Sequence, residues 1–126
     1  MDVLAGTVLR DDGFARGSVV IEDGIIAEVS RSIPKDPLAE GVVIPTFLNA
    51  HTHIADAIVR QEVVGDLEDI VAPPRGLKHR ILAASKDEDL VDAMRATIDT
   101  MVRSGVAGFW DFREGGLSGL RLLLRA

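Results

Sequence analysis

Val42-Val43-Ile44-Pro45-Thr46-Phe47-Leu48-Asn49-Ala50-His51-Thr52-His53 is the stretch on which the reading of the fold turns. It is apolar and β-branched at its start, carries one proline and ends in two histidines spaced i and i+2. Side chains of a strand alternate between faces, so His51 and His53 fall on one face with Phe47 and Asn49. Leu48, Ala50 and Thr52 fall on the other. Two imidazoles one pleat repeat apart can reach a single ion at Zn–N distances of about 2.0–2.1 Å. A strand apolar on both faces belongs in a parallel sheet covered by helices. A bare His-x-His pair also fits a strand that happens to end in surface histidines, so the spacing alone leaves both readings open.

Upstream, residues 1–45 read as short strands and turns. Val3 to Leu9 predicts a strand stopped by Asp11-Asp12-Gly13. Gly17 to Glu22 and Ile25 to Val29 flank Asp23-Gly24, a hairpin signal because a type I′ turn needs positive φ at both central positions. Ser32 to Gly41 holds Pro34 and Pro37 and predicts a loop. A sheet this small must pack on something else.

Downstream, Ile54 to Ala84 has no clean period and contains Pro73-Pro74-Arg75-Gly76. It predicts a long connection with one or two short helical turns. Lys86 to Ser104 predicts a helix. Ser85 and Glu88 read as a capping box, and Leu90, Val91, Met94, Ile98, Met101 and Val102 keep helical spacing. Gly105 suits the left-handed residue that ends a helix. Val106 to Phe112 predicts a second buried strand, Gly115-Gly116 breaks it, and Leu117 to Ala126 begins another helix. The order strand, connection, helix, strand, helix predicts an α/β fold with a parallel sheet.

The 126 residues include no cysteine, so any metal must be held by histidines and carboxylates. Hydrophobic residues at 47% and charged residues at 27% are globular composition. A net charge of −6 argues against a nucleic-acid footprint. No apolar run approaches the ~18 residues of a membrane span. The first residues lack the basic and apolar regions of a signal peptide. The expectation is a cytoplasmic protein with neither a nucleic-acid nor a membrane partner.

Pro45-Thr46-Phe47-Leu48-Asn49-Ala50-His51-Thr52-His53 resembles the first-strand signature of the amidohydrolase superfamily, with Thr46 where that signature has glycine. Gly105-Val106-Ala107-Gly108-Phe109-Trp110-Asp111 is similar to the family's second strand, and the upstream strands look like its N-terminal β-sandwich segment. The resemblance implies a (β/α)8 TIM-like barrel, of which this chain holds the N-terminal portion. It implies a divalent metal ion, zinc in the first instance, one or two per site, with His51 and His53 as two ligands. The family takes further histidines, an aspartate and in some members a carboxylated lysine from later strands. It acts on a small-molecule substrate, with metal-bound water as the nucleophile.

Other candidates come from position alone. His79, in the irregular connection, reads as a substrate contact, with a solvated or capping role as the alternative. Glu114 follows the second strand, where barrel sites are lined, and reads as a second substrate contact or, equally, as a carboxylate of a loop or helix N-terminus. Asn49 sits beneath the histidines and reads as a residue that orients a ligand. No residue is assigned here as a general acid or base.

Residues 1–45 are thus expected to be a β-sandwich segment and residues 46–126 the first two βα units of an incomplete metal-dependent hydrolase barrel. The expected function is hydrolysis or deamination at a C–N bond of a small molecule, with this chain alone inactive. The alternative is a non-catalytic, truncated or split chain acting in assembly. The missing strands would come from further sequence, a complementary chain or a homo-oligomer. Open apolar edges centred on Phe47, Leu48, Phe109 and Trp110 are the expected mark of that incompleteness.

Overall fold

The computed structural model describes residues 1–126, which divide into two units, Met1–Pro45 and Thr46–Ala126. The first unit is a four-stranded sheet. Strand β1 (Asp2–Arg10) pairs antiparallel with β2 (Gly13–Glu22), and β2 pairs antiparallel with β3 (Ile25–Ser30). The β2–β3 turn has Asp23 at φ 51° and Gly24 at φ 78°, the left-handed pair that the Asp-Gly signal requires. Ala5, Val8, Ser18 and Val19 are buried, and the Ser18 hydroxyl donates to the Ser32 carbonyl at 2.9 Å.

Strand β4 (Ala39–Val43) runs parallel to β1 on its other side and gives the order β3-β2-β1-β4. This corrects two expectations. The loop predicted over Ser32 to Gly41 ends earlier, because pairing with β1 draws Ala39, Glu40 and Gly41 into the sheet. Tertiary pairing overrides weak strand propensity there. The stretch Val42 to His53 is not one strand either. It breaks at Ile44–Thr46, where Pro45 supplies no N–H to a ladder, and its two halves serve different sheets.

In the second unit, β5 (Phe47–Thr52) pairs parallel with β6 (Val106–Asp111). The connection between them holds a 3-10 helix (Ile54–Ile58), α1 (Leu67–Val71), α2 (Leu77–Ala84) and α3 (Asp87–Arg103). It is more helical than expected, since α2 alone spans 8 residues. Helix α4 (Gly116–Leu123) follows β6. Leu90, Val91 and Met94 of α3 pack with Ile54, Ala55 and Leu122 to form the core of this unit. Asp111 ties the two strands together. Its Oδ1 accepts from the Thr52 hydroxyl at 3.0 Å and the Ile54 N–H at 2.7 Å.

Ser85 does not cap α3. The residue before the helix is Lys86, which makes no side-chain cap bond, and the Ser85 hydroxyl donates back to the Ile81 carbonyl at 2.8 Å. The Ser-x-x-Glu pattern lies one residue out of register with the helix start. Asp87, Glu88 and Asp89 instead place three carboxylates in the first turn, where the helix dipole favours negative charge. Gly105 does end the helix in the left-handed conformation, at φ 80°.

The β5–β6 pair leaves Phe47, Leu48 and Trp110 more than half exposed. Phe109 departs from the expected exposed group because it packs against the Leu90–Met94 core.

Gly6 carries the tightest backbone constraint of the first unit. Its φ is 130°, and a Cβ there would overlap the carbonyl oxygen of Gly41 in the facing strand. Gly6→Ala therefore both strains the backbone and separates β1 from β4. A loss of at least ~2 kcal/mol is expected in denaturant unfolding. Gly41→Ala, whose Cβ would meet nothing within 4 Å, is expected to stay near wild type. Equal effects of the two substitutions would contradict the close approach.

Candidate metal centre

His51 lies within β5, and His53 stands just beyond it, at φ −134° and ψ 66°, as the residue that opens the 3-10 helix. Their Nε2 atoms are 3.3 Å apart. Two nitrogens on one tetrahedral ion at ~2.0–2.1 Å would be separated by about 3.3–3.4 Å, so the pair fits a shared divalent cation. Phe112 supports both rings, with centroids 4.4 Å from His51 and 5.8 Å from His53. Asn49 acts on the backbone, since its Oδ1 accepts from the His51 N–H at 3.3 Å.

The other nitrogen of His53 faces a network of charge. Nδ1 is 2.9 Å from Glu114 Oε1. A carboxylate only accepts, so Nδ1 carries the proton and Nε2 keeps its lone pair toward His51. The same Oε1 accepts from the Lys78 ammonium at 2.6 Å, and Lys78 also bonds Asp56 Oδ2 at 3.0 Å. Glu114 Oε2 accepts from Arg113 at 2.6 Å, and Arg113 reaches Asp111 Oδ2 at 3.4 Å. The Lys78 and Arg113 side chains are buried, and that of Asp111 is almost fully so.

Burial by itself would push the Lys78 pKa down. The hydrogen bonds that Lys78 donates to Glu114 and Asp56, with the charges of those groups, outweigh burial and leave the value raised. Burial would likewise push Glu114 up, but the hydrogen bond from Lys78, its own backbone, and the charges of Lys78 and Arg113 bring it below the ordinary carboxylate value. Three carboxylates against two cations leave the network at −1 beside the two imidazoles. That balance favours a cation at the Nε2 pair.

His53, Asp56 and Glu114 also form a group with ligand atoms close enough to surround an ion. The Lys78 ammonium stands among them, 3.5 Å from His53 Nδ1, and so takes the place a metal would need. The geometry therefore favours the Nε2 side.

His79 is directed elsewhere. Its Nε2 lies 3.1 Å from the carbonyl of Val71, the last residue of α1, in the capping arrangement named as its alternative. It also lines a cleft of about 280 Å³ with Leu82, Met94, Arg113 and Leu122. Glu114 borders that cleft and spends both oxygens on Lys78, Arg113 and His53. Sequence reasoning missed Lys78, Asp56 and Arg113. The available signals were the spacing His53-x-x-Asp56 and the opposite charges Arg113-Glu114 at the end of a strand.

A comparison with known families matches residues 42–126 to the family described as "Amidohydrolase family". A protein of Methanothermobacter thermautotrophicus named "Putative aminohydrolase" is 42% identical, over 96% of this chain and 33% of its own length. A 5-methylthioadenosine/S-adenosylhomocysteine deaminase of Pyrococcus furiosus is 32% identical, over 88% of this chain and 28% of its own length. A 5'-deoxyadenosine deaminase of M. thermautotrophicus is also 32% identical, over 82% and 25%. The chain spans about a third of the length of the curated relatives it matches most fully.

The ion-pair network sets a pH window for stability. Glu114, with its pKa depressed, stabilises the fold above the unfolded carboxyl value of about 4.3 and loses that contribution as pH falls through the folded value. Lys78, with its pKa raised, stabilises below about 10.4 and loses its contribution as pH rises through the folded value. Lys78→Met should cost about 1–3 kcal/mol across the range between, because it strands buried carboxylate oxygens. In thermal unfolding at stepped pH, the gap to wild type should be flat near neutrality and narrow in acid. A gap that widens on acidification would contradict this account.

Proposed function

The chain belongs to the amidohydrolase family, and from that premise we propose that it forms the part of a metal-dependent deaminase that supplies two metal ligands, His51 and His53. The observation that carries this is the 3.3 Å separation of the two Nε2 atoms at the end of β5. A bound divalent ion, zinc in the first instance, would supply a water made acidic enough to act as hydroxide near neutral pH. The reaction class is hydrolytic cleavage of an exocyclic C–N bond on a small molecule. Water adds at the ring carbon and ammonia leaves. Relatives named as deaminases of 5-methylthioadenosine and of 5'-deoxyadenosine support an adenosine-like substrate.

This chain's own residues hold and orient. Phe112 lies against both imidazoles, with ring centroids 4.4 Å from His51 and 5.8 Å from His53. Glu114 holds the proton of His53 at Nδ1, leaving Nε2 free to bind the ion. His79 and the cleft beside it are offered as a substrate contact, and Asn49 as the residue that fixes the His51 backbone. Two histidines are half of a tetrahedral set. The remaining ligands are assigned to further strands of a barrel that residues 46–126 begin, contributed by further sequence, a complementary chain or a homo-oligomer.

In the full-length protein, His51→Ala and His53→Ala are each expected to remove most bound metal and to lower ammonia release from 5'-methylthioadenosine or 5'-deoxyadenosine at least ~100-fold. Elemental analysis and an ammonia-coupled assay read the two effects. Full metal occupancy in both variants would defeat the proposal. Residues 1–126 expressed alone are expected to give no turnover, and ammonia release from that piece would show that it needs no further strands.

A further inference from the structure

Resting on the reading of His51 and His53 as metal ligands, we infer that Glu114 and Lys78 are positioning residues for the metal. Glu114 sets the tautomer and rotation of His53, and Lys78 is the fixed cation that holds Glu114 in place.

Neutral imidazole carries one proton, on either nitrogen, and only the nitrogen without it can bind a metal. His51 has no carboxylate at its ring. His53 has Glu114 Oε1 at 2.9 Å from Nδ1, which commits the proton to that nitrogen and the lone pair to Nε2. A half-turn of the ring would put Cδ2 in the place of Nδ1 and lose this bond, and moving the proton to Nε2 would set the Nδ1 lone pair against a carboxylate. Glu114 itself follows β6 by three residues, outside both strand and helix, so its backbone does not fix its side chain.

Two cations fix it instead, and they hold different oxygens. Arg113 bonds Oε2 at 2.6 Å. Lys78 bonds Oε1 at 2.6 Å, the same oxygen that meets His53. Lys78 thus sets the atom on which the histidine turns. Asp56 anchors the ammonium from the other side at 3.0 Å. The cluster His53, Asp56 and Glu114 has the composition of a cation site, and its cation is the ammonium of Lys78. A lysine cannot diffuse away or exchange, so the orientation of His53 is set before any metal arrives. Removing Lys78 leaves Oε1 with only the imidazole N–H, and Glu114 can then turn toward Arg113.

The test uses the full-length protein, zinc alone as the probe, and two readouts. Zinc affinity, measured by competition with a chelating dye, is expected to fall about 10–100-fold in Glu114→Ala and in Lys78→Met. The double variant should fall no further than Glu114→Ala, because Lys78 acts through that residue. Nitrogen-15 correlation spectra of the histidines in metal-free protein should place the His53 proton on Nδ1 in wild type, with an Nε2–H population appearing in Glu114→Ala. A wild-type His53 protonated on Nε2 overturns the inference whether or not any variant folds. So do single-variant affinities within about twofold of wild type, or losses that multiply in the double variant. Glu114→Gln keeps the shape of the side chain, and a loss in it isolates the charge. Retention of zinc by His51→Ala and His53→Ala would fail the reading beneath the inference. Loss there with no change at Glu114 or Lys78 fails the inference alone.

Discussion

The carboxylate of Glu114 is the point on which the second unit depends. It is mostly buried, and a buried charge is costly unless paired and hydrogen-bonded. Three donors meet it, each from a different place in the chain: Lys78 from α2, Arg113 from the end of β6, and His53 from the end of β5. Satisfying one group therefore brings three segments to fixed positions. The helices between residues 54 and 84 have little apolar patterning to place them. The Lys78 bonds to Glu114 and Asp56 give α2 a specific docking point.

Asp111 performs the complementary task for the strands. A two-stranded parallel pair is weak by itself. The Asp111 carboxylate crosses from β6 to the hydroxyl of Thr52 and the N–H of Ile54, and so fixes the register at the ends where the histidines emerge. Thr52 points away from the face of His51, as alternation requires, and spends its hydroxyl on the partner strand. His53 departs from strand geometry and still aims its Nε2 at that of His51, because Glu114 and Phe112 hold the ring.

How much of this was legible in the sequence follows from the range of each interaction. The Asp23-Gly24 turn, α3 with its Leu90–Met94 face and the stop at Gly105 are set by local chemistry, and each stands where the residues indicate. The split at Pro45 was legible in principle, since a proline within a strand pattern signals an edge or a break. The strength of the apolar run around it hid the signal. The Ser85–Glu88 box failed because a hydroxyl can serve the helix it follows as readily as the one it precedes. The candidate centre divides in the same way. The i, i+2 spacing brought His51 and His53 to the same strand end, but His53 lies outside the strand, and its aim at His51 also depends on Glu114. The partners of Glu114 lie 36 residues away at Lys78 and 61 at His53, and no local pattern reports a pairing of that range.

A site built this way separates two tasks that a metal often performs together. In many small metal-binding domains the ion gathers its ligands and supplies part of the folding energy. Here Lys78 and Arg113 pair with the carboxylates around His53, and Phe112 lies against both rings. The two Nε2 atoms therefore reach ligand spacing through contacts within the polypeptide. For the ion proposed here, a preorganised pair of this kind would not lose the ordering entropy of its side chains on binding, which would strengthen binding per ligand. The charge network would then act twice, on the placing of α2 and the strand ends and on how tightly and in what orientation a metal is held.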